Sequence, residues 1–322
     1  MITSALTGPE EIIRKEKLQM KKVLCLILTV AIILSCGLYA FAEGEAMSVY
    51  SSYKIPYGSM RMIAHTGYSA VAPGNTLPAY VAAGKSDFWG AECDIQRTKD
   101  GVWVLMHNDT VDDMTDGTGK VSEMTYAEIS RLTVDAGNNL EKYPGTKVAT
   151  LKEYLDVCKE YGLHPVIEIK PNADVETMDE LAKLLLARKE KDMFVIISFG
   201  REICVRIKEL MPDTPVYYLI GYEGVSREDI DFAVKNHLDG MDIHVYLPDD
   251  YVNAVKDAGL DIIVWTIDDM DNVERFYELG VNAITTNSIT QVKPQGNIFQ
   301  QFLWAMRDLF YNLKQSIAKL FG

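Results

Sequence analysis

From residue 61 onward the chain alternates between two kinds of segment. Short apolar runs at 61–65, 90–95, 165–170, 194–198, 216–220, 240–244, 261–266 and 282–286 are separated by stretches with helical spacing of apolar residues. Such alternation selects a parallel sheet, because each strand needs a helix to carry the chain back to the same edge. Eight parallel strands close a (β/α)8 TIM barrel. A doubly wound sheet is the competing architecture, but no glycine-rich nucleotide loop follows the first strand. The helical stretches carry their own signals. Thr150-Leu-Lys-Glu153 is a capping box that opens a helix to Tyr161, where Gly162 stops it. Further helices are expected near 175–190, 201–210, 226–236, 249–258 and 269–279.

One pair of runs has no room for a helix between them. Strand 102–106 follows 90–95 across Asp100-Gly101, the signature of a hairpin, so the second strand is expected antiparallel and outside the barrel set. With those two residues as the loop, Asp94 stands opposite His107, and Glu92 lies two residues along on the same face. The hairpin then gathers two carboxylates and an imidazole.

Charge narrows the partners. The formal net charge is -14, and residues 1–42 carry +2, which leaves -16 for the body. An acidic body argues against nucleic acid and suits a protein that holds divalent cations. Residues 23–42 are uncharged, follow Lys21-Lys22 and end in Ala40-Phe41-Ala42. They read as a signal peptide, with a retained membrane anchor or a lipoprotein site at Cys36 as alternatives. The chain is therefore expected outside the cell or on the outer face of the cytoplasmic membrane. Beyond the leader, Cys93, Cys158 and Cys204 form neither a disulfide framework nor a zinc pattern and read as buried small apolar residues.

In a barrel of this type the chemistry lies at the C-terminal ends of the strands. Those ends bring His65, then Glu92 and Asp94, then Glu168 and Lys170, with Ser198-Phe199, His244 and Trp265 on later strands. Three converging carboxylates do not all stay ionised without a cation, and oxygen-only ligands favour Mg2+ or Ca2+. His65 and His107 are an acid–base pair suited to neutral pH.

The ordered motifs His65-Thr66-Gly67, Pro73-Gly74-Asn75-Thr76, Glu92-Cys93-Asp94, Thr98-Lys99-Asp100-Gly101, His107-Asn108 and Glu168-Ile169-Lys170 resemble those of the glycerophosphodiester phosphodiesterase family over 61–292. The resemblance implies a TIM barrel that hydrolyses small-molecule or lipid glycerophosphodiesters to glycerol phosphate and an alcohol. It implies His65 and His107 as catalytic, Glu92, Asp94 and Glu168 as ligands of a divalent cation, and Lys170, Trp265 and Thr66 beside the substrate. Ion pairing for Lys170 and plain barrel packing for Trp265 are the alternatives. Three positions depart from the family pattern. Thr66 stands where the family has arginine, Gly74 where it has glutamate, and Asn108 where it has aspartate. A threonine does not reproduce a bidentate guanidinium–phosphate contact. The departures leave two alternatives to that hydrolysis: a barrel that binds a phosphodiester or metal without turnover, and a phosphodiesterase for a lysophospholipid or a lipid-linked glycerophosphate polymer.

The remaining segments complete the organisation. Residues 43–60 read as a linker. Residues 108–149 are polar and turn-rich and read as an insertion above the hairpin. Residues 293–322 carry an amphipathic helix, with Phe299, Phe302, Leu303, Met306, Phe310 and Leu313 on one face, placed either on the barrel wall or on a membrane surface.

Overall fold

In this computed structural model, residues 60–290 are described. The expected leader, linker and C-terminal amphipathic helix lie outside them. Among the described residues no helix is long and apolar enough to cross a membrane.

Eight parallel strands form a closed ring: β1 (Arg61–Ala64), β2 (Gly90–Arg97), β4 (His164–Ile169), β5 (Val195–Ser198), β6 (Val216–Ile220), β7 (Gly240–His244), β8 (Asp261–Trp265) and β9 (Ala283–Thr286). β1 pairs with both β2 and β9, which closes the barrel. β3 (Trp103–Leu105) pairs antiparallel with the end of β2 and stands outside the ring. The helices run α1 (Leu77–Gly84), α2 (Tyr126–Ile129), α3 (Leu151–Tyr161), α4 (Met178–Leu186), α5 (Arg201–Leu210), α6 (Arg227–Lys235), α7 (Asp249–Asp257) and α8 (Met270–Leu279).

The Thr150 capping box forms, and Gly162 takes the left-handed C-cap conformation at φ 71°. α1 was not among the expected helices. It opens with proline near its start and is rich in alanine, so its sequence lacks the polar–apolar contrast that marks a surface helix. It is placed by burial of its own Ala79, Tyr80 and Ala83.

Strand alternation divides the core in two. Outward residues such as Met62, Cys93, Ile167 and Ile243 pack beneath the helices. All three described cysteines are buried and free, as expected. Inward residues Ile63, Val166, Val195, Ile197, Tyr217, Leu219 and Ile263 fill the barrel. The insertion after β3 has its own small core of Val104, Met106, Val111, Val121, Ile129 and Val148.

The hairpin register differs by one residue from the expected one. Ile95 pairs with Leu105 and Arg97 with Trp103, so Asp94 faces Met106 and not His107. The cause is a three-residue loop. Thr98 N–H donates to the Val102 carbonyl, and Gly101 adopts φ +87°. That is a turn followed by a left-handed glycine, the usual three-residue hairpin connection.

Candidate active site

β1, β2 and β4 lie side by side, and their inward positions deliver the site. Glu92 pairs in register with Val166 and Asp94 with Glu168. One carboxylate oxygen from each of Glu92, Asp94 and Glu168 lies within 4.8 Å of the others, and all three residues are buried. Lys170, just beyond β4, places its ammonium between Asp94 and Glu168, 2.7 Å from the latter. Ion pairing for Lys170 is thus present alongside its position next to the trio.

Asn75 clamps Asp94 from the β1–α1 loop. Its Nδ2 donates to Asp94 Oδ2 at 2.6 Å, while its Oδ1 accepts from the Asp94 N–H and the Tyr80 hydroxyl. Glu92 Oε2 accepts the Thr66 N–H at 2.8 Å, but its Oε1 is buried without a partner. An orphaned buried carboxylate oxygen in an all-oxygen cradle fits a hard divalent cation.

The protonation balance follows from this crowding. Burial, then Asp94 and Glu168, push the Glu92 carboxyl well above the usual range. Burial also acts on Asp94, but Lys170, His107 and Asn75 outweigh it and hold that carboxyl low. Burial and Asp94 raise Glu168 to about 7.

The two histidines reach this centre by different routes and are held in the same way. His65 follows β1, and its Nδ1 donates to Asn287 Oδ1 at 2.8 Å. Asn287 Nδ2 in turn donates to Asp268 Oδ2 at 2.6 Å. His107 Nδ1 donates to Asn108 Oδ1 at 2.8 Å, and Asn108 Nδ2 donates to Asp113 Oδ2 at 2.5 Å. A carboxylate only accepts, so each aspartate fixes its amide, and each amide assigns the ring tautomer. Both Nε2 atoms are left as acceptors. His107 arrives despite the shifted register because the chain leaves the ladder after Met106, whose N–H still donates to the Asp94 carbonyl. Gln96 Nε2 then pins the segment by donating to the carbonyls of Met106 and Asn108.

Thr66 is buried, and its hydroxyl donates to the His65 carbonyl at 2.7 Å. Gly74 lies directly against it: a Cβ at 74 would stand 2.5 Å from Thr66 Oγ1. Two of the three departures are therefore in contact with each other. Both line a cavity of about 510 Å³ that runs from His65 and His107 under the insertion to Met114 and Val134.

On the far side of the barrel mouth Trp265 meets Phe199 at 5.8 Å and His244 at 4.7 Å between ring centroids. Deeper on β7, Asp242 points inward with Oδ1 unpartnered. Burial, then Glu168, raise its carboxyl well above the usual range. Asn287, Asp268, Asp113, Gln96 and Asp242 were not picked out from the sequence. Of these only Asp242 carried a readable signal, an acid at an inward position of an otherwise apolar strand.

A family model described as "Glycerophosphoryl diester phosphodiesterase family" matches residues 65–291. A glycerophosphodiester phosphodiesterase of Caldanaerobacter subterraneus subsp. tengcongensis is 31% identical over 233 residues, covering 70% of this chain and 93% of the relative. One from Bacillus subtilis is 30% identical over 275 residues, covering 79% and 92%. Among solved structures, an Oleispira antarctica phosphodiesterase in complex with the product sn-glycerol-3-phosphate aligns with TM-score 0.63 and 27% identity, over 70% of this chain and 92% of that one.

Proposed function

We propose that this chain, which belongs to the glycerophosphoryl diester phosphodiesterase family, hydrolyses a glycerophosphodiester to glycerol phosphate and an alcohol, with His65 and His107 moving the protons. One observation carries the reading. A buried carboxylate trio with an orphaned oxygen shares the barrel mouth with two imidazoles whose Nε2 atoms are free to accept. One imidazole takes the proton of the attacking oxygen, and the other protonates the departing alkoxide. The Asn–Asp pair behind each ring holds its tautomer and orientation through that exchange. Lys170 brings a fixed positive charge to the same spot. Glu92, Asp94 and Glu168 would hold Mg2+ or Ca2+, which supplies charge neutralisation at the phosphoryl oxygens when bound.

The family pattern's departures are absorbed locally. Asn108 passes its contact on to Asp113, and the Thr66 hydroxyl occupies the space that a side chain at Gly74 would need. A binding protein without turnover is the second reading, favoured by Thr66, whose hydroxyl is committed to the His65 carbonyl. The two separate in one assay. Full chain with Mg2+ or Ca2+ and a panel of glycerophosphodiesters is followed for release of glycerol phosphate, with His107→Ala as control. Metal-dependent release that vanishes in the variant supports hydrolysis. Calorimetric binding of metal and diester with no release supports the binding role.

Export and a membrane-surface substrate belong to the same proposal, supported by the apolar run 23–42 and by the periodicity of 298–321. Truncation after Asn297 is expected to abolish liposome flotation; unchanged flotation removes the membrane contact.

A further inference from the structure

Between the buried residues Val134 and Val148 the insertion leaves its own small core, and none of residues 135–147 is buried. The excursion starts and ends in one place. The Val134 N–H donates to the Thr146 carbonyl at 2.8 Å, and the Asp135 N–H donates to the Met114 carbonyl at 3.1 Å. Its regular structure is a 3-10 turn, Leu140–Lys142. A loop with close ends and no side chain in a core belongs to the low-stability end of a structure.

There is space on both faces of this strap. Gly137 and Asn138 line the same cavity of about 510 Å³ as His65, His107 and Asn287. Residues 142–147 line a second cavity, of about 410 Å³, with Leu77, Pro78 and Glu153. The strap therefore has room to swing away from the first.

Three contacts seat it on the β1–α1 loop. Gly137, at φ +106°, lies flat against Pro73, and a Cβ there would stand 2.8 Å from Pro73 Cα. Only glycine fits that approach. Asn138 Nδ2 donates to the Ser69 carbonyl at 2.9 Å, and Asn139 Nδ2 donates to the Ala70 carbonyl at 3.4 Å. Water replaces such amide–carbonyl contacts at small net cost.

The two residues that receive the amides are the ones that hold Asn287. Ser69 Oγ donates to Asn287 Oδ1 at 2.9 Å, the same oxygen that accepts from His65 Nδ1. The Ala70 N–H donates to the Asn287 carbonyl at 3.1 Å. An amide oxygen has two lone pairs, and here both are used. Seating Ser69 thus fixes the amide that fixes the His65 ring.

We propose that residues 135–147 form a strap that lifts to admit the diester, and that closing it through Asn138 aligns the His65–Asn287 pair by way of Ser69. Asn138 and Ser69 are then positioning residues, and closure of the cavity and alignment of His65 are one event. The proposal rests on the hydrolysis reading above and adds to it the gate and its coupling.

The test is a double-mutant cycle on the full chain with Ca2+ and whichever glycerophosphodiester is turned over fastest. Asn138→Ala removes the latch. Ser69→Ala keeps the carbonyl that receives the latch and removes the relay. Each is expected to lower kcat about tenfold with a smaller change in KM, and the double variant should lose no more than either single one. Ser69→Thr, which keeps the hydroxyl, should retain the parent kcat. Additive losses, an unchanged kcat in Asn138→Ala, or a change in KM alone would overturn the coupling. The strap is read separately by hydrogen exchange of residues 136–146, with and without sn-glycerol 3-phosphate and Ca2+. Fast exchange in the free chain, slowed about tenfold by the ligand in the parent and not in Asn138→Ala, upholds the gate. Exchange as slow as that of α3 in the free chain, or indifferent to the ligand, sinks it. If no diester is turned over, the hydrolysis reading fails by itself. The coupling is then read from the His65 imidazole resonances, which Asn138→Ala and Ser69→Ala should shift alike; resonances that neither variant moves would contradict it.

Discussion

Two walls of one barrel mouth bury carboxylates, and they do so on different terms. On β2 and β4, Glu92, Asp94 and Glu168 stand around the Lys170 ammonium and are clamped by Asn75 and the Thr66 N–H. On β7, Asp242 is 1% exposed and has Oδ1 unpartnered. The strand period is the same on both sides, and each residue points inward for the same reason. What differs is the company. A buried carboxyl is held low where cations and donors converge on it, as at Asp94, and is raised where they do not. The first wall therefore sets one low carboxyl between two raised ones, Glu92 and Glu168, around a shared cation position, and the second holds a single raised acid between Leu219 and Ile263.

The sharpest way to break this contrast is at the histidines. His65→Ala or His107→Ala should lower turnover by about 10² to 10⁴, the usual scale for a general acid or base. Trp265→Leu on the opposite wall should cost far less, in KM and not in kcat. Equal losses on both walls, in kcat, would erase the distinction. Next in size is the support behind the rings. Asp113→Asn frees the Asn108 amide, and kcat is expected to fall about tenfold with KM little changed. Asn108→Asp would place a carboxylate on His107 Nδ1 directly, and the pH–rate profile should move to higher pH.

A smaller effect separates the buried acids by stability. Asp242 has its folded-state proton affinity raised, mainly by burial. The unfolded chain gives up that proton above about pH 4 while the folded chain keeps it. Its cost is thus absent at low pH and grows as pH rises toward the folded value. Asp242→Asn should raise Tm by about 2–4 °C at pH 7 and flatten the decline between pH 4 and 7. A lower Tm at pH 7 would mean that Asp242 is ionised and partnered in the native state.

Much of the first wall was legible in the sequence because strand period and strand ends are local properties. His65, Glu168 and Lys170 could be placed from the ends of the runs that carry them, and Glu92 and Asp94 from their shared inward face on β2, which continues past them to Arg97. The hairpin register was not, since Asp-Gly occupies two-residue and three-residue loops alike, and only Thr98 closing on Val102 decides between them. The supports were also hidden. Asn287 and Asp268 sit on loops after different strands, and their pairing with His65 exists only once β8 and β9 are neighbours. Asn108 looked like a loss from the family pattern until Asp113 was found five residues on, across a turn. Likewise the contact between Thr66 and Gly74 turns two separate departures into one joint change.

The most direct measurement is a calorimetric titration of Mg2+ and of Ca2+ into the full chain, Glu92→Gln and Asp242→Asn. The account predicts one divalent site in the parent chain, retained in Asp242→Asn and lost in Glu92→Gln. A site that survives Glu92→Gln, or that vanishes with Asp242→Asn, would contradict it.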